Sequence, residues 1–258
     1  MKIVGFSQLR NELSNDNLEN WFRCMEICDY IYIYDQASTD GSQEYYKKYK
    51  NAVVIESSVN DFEREISCKA TLLERLLFDH PDTDWIYWID GDTILDGRLM
   101  RDNYRELHAL LNYATKQAVD GIILGHYNLW RSDVYYRVDN NYDWFHRNGR
   151  RVFWRNNGNL KFIDNGGLHQ PQFPHGLNKQ MRIDRDLIHR GFATDEQIMN
   201  RYNLYKSKGQ SGPMLERLID EAGLKVERIK ESILPDWYQV RDTVLPLKKE
   251  KLQAQQKD

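Results

Sequence analysis

The chain has 258 residues, of which 29% are charged, and its formal net charge is −3. This length fits one large domain, or one domain with an extension, and allows a substantial core. The charge balance excludes a general basic surface for nucleic acid. Three cysteines without framework spacing indicate a reducing compartment. Because the N-terminus enters a strand directly and no apolar run reaches membrane-spanning length, we expect a cytoplasmic protein without a signal peptide or transmembrane segment.

The first half of the chain alternates predicted strands with predicted helices. Short apolar runs rich in β-branched and aromatic residues predict the strands, and apolar residues at helical spacing predict the helices. The strands are placed at residues 3–7, 30–34, 53–55 and 85–89, and the longer helices at 18–28 and 63–79. This alternation argues for an α/β fold with a mostly parallel sheet, right-handed crossovers and flanking helices.

The second half begins with a predicted helix near residues 107–114 and a predicted strand at 121–125, and then becomes rich in aromatic residues. Asn156-Asn157-Gly158-Asn159 predicts a hairpin turn that joins strands at 151–154 and 160–163. Further on, Thr194 and Gln197 have the spacing of a capping box that opens a helix. We expect one domain over residues 1–205 and a helical C-terminal extension over 206–258.

The most informative stretch is Asp90-Gly91-Asp92, which directly follows the apolar run at residues 85–89. Such a run indicates a buried strand, and ligands of open α/β sheets bind outside the carboxyl ends of the strands. Two neighbouring carboxylates repel each other unless a positive charge lies between them. A hard divalent cation that also holds a substrate phosphate is one such partner, and Gly91 permits close approach. The alternative is an exposed acidic turn.

A second acidic position, Asp35, ends the strand at residues 30–34, which lies beside the first strand in the predicted sheet. A carboxylate at this edge can accept hydrogen bonds from a base N–H or a ribose hydroxyl. The alternative is that Asp35 accepts hydrogen bonds from the backbone of its own turn-rich loop, Gln36 to Ser42. The later segment His189-Arg190-Gly191 follows the short apolar pair Leu187-Ile188, which is consistent with a last strand.

Four motifs in this order resemble those of family-two glycosyltransferases of the GT-A fold, in the branch with an Arg-Asn-Glu loop after the first strand. They are Arg10-Asn11-Glu12, the strand and loop from Tyr32 to Ser42, Asp90-Gly91-Asp92, and His189-Arg190-Gly191. The resemblance covers roughly residues 1–205. It implies a nucleotide-sugar-binding, Rossmann-like sheet with a donor-binding half at residues 1–100 and an acceptor half at 101–205.

The resemblance further implies a transferase that moves a sugar from a nucleotide-diphosphate sugar to a glycan or lipid-linked acceptor. It implies a Mn²⁺ or Mg²⁺ cofactor and inversion at the anomeric carbon. The metal ligands implied are Asp90, Asp92 and His189. The donor-binding residues implied are Ser7, Arg10, Glu12, Asp35, Arg64, Lys69, Asp90 and Gly91. For Arg64 and Lys69 the alternative is a solvated surface, and for His189 it is a histidine satisfied in a core or loop.

The acceptor loop, which would carry the catalytic base, departs from the family pattern. Its sequence places Gln170 where many members have an acidic residue, and a glutamine cannot serve as a base. That leaves Asp164 and His169, of which we favour Asp164 because an aspartate is already ionised at neutral pH. Turn chemistry also explains Asp164. The next candidates are Asp139, Asp143 and Asp195.

Three other classes of protein compete with this interpretation. A haloacid-type phosphatase places a threonine two residues after its second aspartate, whereas Thr93 directly follows Asp92. A dinucleotide-dependent oxidoreductase requires a glycine-rich turn after its first strand, where this chain has Ser7 to Glu12. A non-catalytic sugar- or nucleotide-binding module of the same fold remains open.

Overall fold

The computed structural model describes residues 1–60, 62–139, 147–164, 172–220 and 223–240. Ten strands and six α-helices are labelled here in chain order. The strands are β1 (Ile3–Leu9), β2 (Tyr30–Asp35), β3 (Ala52–Glu56), β4 (Trp85–Trp88), β5 (Thr93–Leu95), β6 (Gly121–Asn128), β7 (Tyr135–Arg137), β8 (Arg150–Arg155), β9 (Gln180–His189) and β10 (Val226–Arg228). The helices are α1 (Leu18–Met25), α2 (Ser42–Tyr46), α3 (Glu65–Asp79), α4 (Gly97–Lys116), α5 (Asp195–Ser207) and α6 (Pro213–Glu216).

Eight of the strands form one sheet in the order β3-β2-β1-β4-β8-β6-β9-β5. Strands β3, β2, β1 and β4 are mutually parallel, β6 is parallel to β9, and β8 and β5 run against their neighbours. The α/β class and the mostly parallel sheet are therefore confirmed.

The core lies on both faces of the sheet, as the unbroken apolar run of β4 predicts. Trp85 and Tyr87 pack on one face with Trp21 of α1, while Trp88 packs on the other face with Leu72 of α3. The side chains alternate because successive residues of a strand point to opposite faces. This packing fixes the direction of β4. It therefore also fixes the position of Asp90-Gly91-Asp92 at the edge of the sheet.

The predicted hairpin around residues 156–159 was wrong. Strand β8 pairs instead with β4 and β6, and Lys161, two residues after the turn, forms an isolated bridge with His175. The reason is burial: Phe153 and Trp154 are fully buried at the centre of the sheet, a place that a two-stranded hairpin cannot provide. The predicted short strand at Leu187-Ile188 is the buried end of the ten-residue β9.

Beyond α5, the described residues pack against the main body. Strand β10 pairs with β7, and Leu215 and Leu218 share an apolar cluster with Trp130 and Phe192. The domain division at residue 205 stays a prediction, and residues 241–258 lie outside the described part of the chain. None of the helices described is both long enough and apolar enough to cross a membrane.

Candidate active site

A cavity of about 460 Å³ lies at the carboxyl ends of the parallel strands. Leu9 at the end of β1 stands opposite Asp35 at the end of β2, and β4 leads into Asp90 on the other side of β1. Among the described residues, the cavity walls carry the arginines Arg10, Arg150 and Arg201 and the carboxylates Glu12, Glu65, Asp90 and Asp92. His189 also lines the cavity. The position agrees with the general location of ligand sites in α/β sheets.

Asp90 and Asp92 both face the cavity, and each is paired with an arginine. The Asp90 Oδ2 atom accepts a hydrogen bond of 2.7 Å from Arg150 Nη1, and Asp92 Oδ2 accepts one of 2.9 Å from Arg201 Nη2. His189 Nε2 lies 3.2 Å from the same Asp92 oxygen. Burial alone would raise the pKa of Asp92, but His189, Arg201 and Arg150 outweigh burial and hold this pKa well below its usual range.

Glu12 is the third carboxylate in this group, and the loop after β1 delivers it. Its Oε2 atom accepts a hydrogen bond of 2.9 Å from Asn17 Nδ2. Burial, together with the charges of Asp92 and Asp90, raises the pKa of Glu12 from 4.5 to about 8, although Asn17 and Arg201 oppose the shift. Glu12 is therefore largely protonated at neutral pH, which is the expected response of a carboxyl group placed beside two others.

The loop after β1 is held against the end of β9 by Arg190. The Arg190 Nη1 atom donates to the backbone oxygen of Asp16 at 3.0 Å and to Asn17 Oδ1 at 2.7 Å. Because Asn17 also holds Glu12, this buried arginine connects the first and last strands that border the cavity.

His189 has the orientation of a metal-binding histidine. Its Nδ1 atom lies 2.9 Å from Asn128 Oδ1 and its Nε2 atom lies 3.2 Å from Asp92 Oδ2, so the contact with Asn128 orients the ring with Nε2 toward Asp92 and the cavity. The next glycine makes this arrangement possible. A Cβ atom at Gly191 would lie 2.6 Å from Asp92 Oδ2 and 2.4 Å from Arg201 Nη2, so any larger residue would fill the space beside Asp92.

The side chains of Asp90, Asp92 and His189 fit a hard divalent cation that the protein holds only in part, with the remaining ligands supplied by substrate and water. The described residues contain no group of three or more His, Cys, Asp or Glu side chains arranged to hold a metal ion. Mg²⁺, however, is commonly held by one or two carboxylates together with substrate phosphates and water, so a complete cage of protein ligands is not required. Gly91 allows the side chains of Leu9 and Glu12 to pack closely against it, since a Cβ atom there would lie 2.7 Å from Leu9 Cδ2 and 2.8 Å from the Glu12 side chain.

Asp35 lies at the predicted edge but is fully buried. Its Oδ1 atom accepts hydrogen bonds from the Ser38 amide at 2.9 Å and from Gln43 Nε2 at 2.8 Å, and its Oδ2 atom accepts one from the Tyr46 hydroxyl at 2.9 Å. These contacts fix the loop that carries Gln36, which lines the cavity. The direct role of Asp35 toward a nucleotide stays a prediction.

The other residues proposed for the donor occupy different places. Arg10 is exposed on the cavity wall, and Arg64 is exposed at the start of α3. Ser7 is fully buried, accepts a hydrogen bond from Trp21 Nε1 and donates to the backbone of Ile89. It connects β1 to the end of β4, behind the cavity.

Lys69 is buried one layer behind the cavity wall. Its Nζ atom donates to Glu65 Oε1 at 2.7 Å and to Gln172, and lies 4.1 Å from the centre of the Trp88 ring. Burial lowers the pKa of Lys69, although Glu65 and Asp90 oppose the shift. Glu65 and Gln172 themselves line the cavity, so the lysine holds a carboxylate that faces it.

The candidate bases are only partly described. Asp164 is exposed and accepts a hydrogen bond of 2.6 Å from Ser67 Oγ, whereas His169, Gln170 and Asp143 lie outside the described residues. Asp139 is buried in a bidentate ion pair with Arg137, at 2.8 and 2.9 Å.

The last of these candidates, Asp195, is in the first turn of α5 and pairs with Arg131. It does not line the cavity described above. Of the candidate bases that the structure describes, Asp164, Asp139 and Asp195, none lines the cavity.

Sequence reasoning missed Arg150, Arg201 and Glu65. Arg201 is in α5, four residues after Gln197 of the predicted capping box, which the structure confirms. Arg150 begins β8, whose place in the sheet was not predicted. No local pattern distinguishes these residues from surface charges. The one available indication was the number of carboxylates expected at the site, because several close carboxylates require positive groups beside them.

No protein-family profile matches the sequence. No curated protein matches it either. Among solved structures, the chain is similar to a glycosyltransferase involved in the glycosylation of the major capsid of PBCV-1, with 14% identity and a TM-score of 0.25 over 50% of this chain and 52% of that one. The chain thus spans about half the length of that enzyme.

Two further similar structures are synthases of one kind. One is a 4-diphosphocytidyl-2C-methyl-D-erythritol synthase, with 13% identity and a TM-score of 0.34 over 95% of this chain and 96% of that one. The other is the same kind of synthase from Anaerococcus prevotii, with 11% identity and a TM-score of 0.29 over 92% and 91%. These values are too low to argue for an activity, which is inferred below from the cavity and its residues.

Proposed function

We propose that the protein is a metal-dependent, inverting glycosyltransferase that moves a sugar from a nucleotide-diphosphate sugar to a hydroxyl group of a glycan or lipid-linked acceptor. One observation carries the proposal. Asp90, Asp92 and His189 meet the arginines Arg150 and Arg201 in one cavity at the carboxyl ends of parallel strands. The sequence resemblance supports the direction of the chemistry, including inversion.

In this proposal Asp90 and Asp92 would hold Mn²⁺ or Mg²⁺, and His189, at the end of β9, would be a further ligand. The bound ion would stabilise the negative charge that develops on the leaving diphosphate. Arg10, which also lines the cavity, would contribute positive charge toward the donor. The Asn128 contact keeps the Nε2 atom of His189 directed at Asp92. Direct displacement then requires a base near the acceptor hydroxyl.

The decisive experiment is a panel of sugar nucleotides incubated with the protein and Mn²⁺, with and without hydroxyl acceptors. We expect release of a nucleoside diphosphate from at least one donor, faster when an acceptor is present. The anomeric configuration of the product, read by NMR, tests inversion. Binding without turnover would instead identify a non-catalytic module, and release of inorganic phosphate from phosphate esters would identify a phosphatase.

Asp35→Ala tests the donor side of the site. We expect nucleotide-diphosphate affinity to fall about tenfold, because the change removes a charged acceptor at the strand end and loosens the loop that carries Gln36. Calorimetry with the nucleotide measures this, and affinity for Mn²⁺ alone should change little. Tyr46→Phe is the matched control, since it removes one donor to Asp35 and keeps the carboxylate. An unchanged nucleotide affinity in folded Asp35→Ala would count against the site.

Asp164→Asn and His169→Ala, made separately, test the base. We expect Asp164→Asn to lower turnover by about 10²- to 10⁴-fold while donor affinity is kept, which is the usual effect of removing a general base. Ser67→Ala removes only the hydroxyl that contacts Asp164 and should retain most turnover. If Asp164→Asn and His169→Ala both turn over normally, the base lies elsewhere, and Glu65 on the cavity wall is the next residue to change.

A further inference from the structure

Two arginines from distant parts of the chain reach the same pair of carboxylates. Arg150 begins β8 and pairs with Asp90, with 2.7 Å between Nη1 and Oδ2. Arg201 lies in α5 and pairs with Asp92, with 2.9 Å between Nη2 and Oδ2. Their side chains are 26% and 27% exposed, so both guanidiniums face the cavity and not the core. Both aspartates that would hold a cation are therefore paired with arginines.

Both guanidiniums keep donors to spare. In the described part of the chain, each arginine donates through one nitrogen to its aspartate, whereas a guanidinium carries five N–H groups. Arg201 is also held in orientation, because its guanidinium carbon lies 4.7 Å from the centre of the Phe192 ring. Gly191 leaves the space that Arg201 needs beside Asp92. The ion pair therefore holds the arginine in position and leaves N–H groups of its guanidinium available to another acceptor.

A cation that binds Asp90 and Asp92 must compete with these two positive charges. Once it binds, the guanidiniums lose their anionic partners while they remain in the same cavity. A diphosphate supplies new ones, and the planar guanidinium fork suits phosphate oxygens better than a point charge does. We infer that Arg150 and Arg201 are diphosphate-binding residues that exchange partners, from Asp90 and Asp92 in the free protein to the donor diphosphate when the cation is bound.

The inference rests on the proposed function and makes a further prediction about the affinities for the cation and the diphosphate. If the arginines exchange partners, removing one has opposite effects on two ligands. The cation alone should bind more tightly, because a competing positive charge is gone. The diphosphate should bind more weakly, because its own partner is gone. A merely structural role would weaken both.

The experiment measures both affinities by calorimetry on the intact chain. The ligands are Mn²⁺ alone and then UDP, GDP and inorganic pyrophosphate in the presence of Mn²⁺. For Arg150→Gln and Arg201→Gln, we expect Mn²⁺ alone to bind about two- to tenfold more tightly and the diphosphates to bind at least about tenfold more weakly. Arg201→Lys keeps the charge, so Mn²⁺ affinity should stay near that of the unchanged protein, while diphosphate affinity still falls.

Arg155→Gln is the matched control, because Arg155 is in the same strand as Arg150 and pairs with Asp120, away from the cavity walls described. Both of its affinities should stay within about twofold of the unchanged protein. Thermal unfolding confirms that each variant is folded. Unchanged diphosphate affinity in Arg150→Gln and Arg201→Gln, or a parallel loss of both affinities, would overturn the exchange while leaving the proposed function intact. If the unchanged protein binds none of the three diphosphates, the proposed function fails together with the inference.

Discussion

Asp92→Asn is expected to abolish nearly all transfer while the protein stays folded. Asparagine has almost the size of aspartate, so its oxygen can still face His189 Nε2 and Arg201. The change removes the negative charge that the cation requires. The same charge holds Arg201 and His189 beside residue 92. We expect turnover to fall by about 10²- to 10⁴-fold, as when a group that stabilises transition-state charge is removed.

Steady-state transfer with Mn²⁺ and the affinity for Mn²⁺ alone measure this effect, and urea unfolding reports the stability of the variant. Asp120→Asn is the matched control, since Asp120 is also a buried aspartate that accepts a hydrogen bond from an arginine. That variant should lose stability but not affinity for the cation. Full transfer by Asp92→Asn, or by the unchanged protein in excess chelator, would exclude the metal from the mechanism.

The sequence was sufficient to predict the carboxylate edge of the site, because that edge depends on local features. The buried run of β4 ends at Asp90 whatever its neighbours are, and a strand that follows β1 along the chain tends to lie beside it. Pairing of Leu9 with Asp35 confirms this placement. The end of β9 at His189 was likewise found from the short apolar pair that precedes it.

The positive half of the site could not be predicted, because long-range packing places it. Arg150 reaches Asp90 only because β8 inserts between β4 and β6, where local sequence favoured a hairpin. Arg201 reaches Asp92 only because α5 packs so that Gly191 leaves a gap beside it. Neither residue has a distinctive neighbour in the sequence. Sequence patterns do not identify such side chains, because their partners are set by the fold and not by the neighbouring residues.

Glu12→Gln should stabilise the protein at alkaline pH and leave its stability nearly unchanged at acidic pH. In the folded state, burial and the charges of Asp92 and Asp90 raise the pKa of Glu12 from 4.5 to about 8. Below about pH 4.5 the carboxyl group is protonated in both the folded and the unfolded chain, so it costs nothing. As the pH rises toward 8, the unfolded chain loses this proton and the folded chain keeps it, so the free energy of unfolding falls.

The variant has no proton to lose, and its amide oxygen can still accept the hydrogen bond from Asn17. Each pKa unit corresponds to about 1.4 kcal/mol, and partial solvation of the cavity reduces the full effect, so we expect a gain of about 1–3 kcal/mol at pH 9. Urea unfolding of both proteins at pH 5 and pH 9, with chelator present to keep cations away from the three carboxylates, measures the difference.

Glu65→Gln provides a control of opposite sign on the same cavity wall. Burial alone would raise the pKa of Glu65, but the Lys69 ammonium outweighs burial and lowers it. The ionised Glu65 therefore stabilises the folded state above the pKa of the unfolded chain, and this contribution disappears as the pH falls through the folded pKa. We expect Glu65→Gln to lose stability at pH 9 and to approach the unchanged protein in acid. If the free energy of unfolding of Glu12→Gln instead differs from that of the unchanged protein by the same amount at pH 5 and pH 9, the pKa of Glu12 is not raised in the folded state.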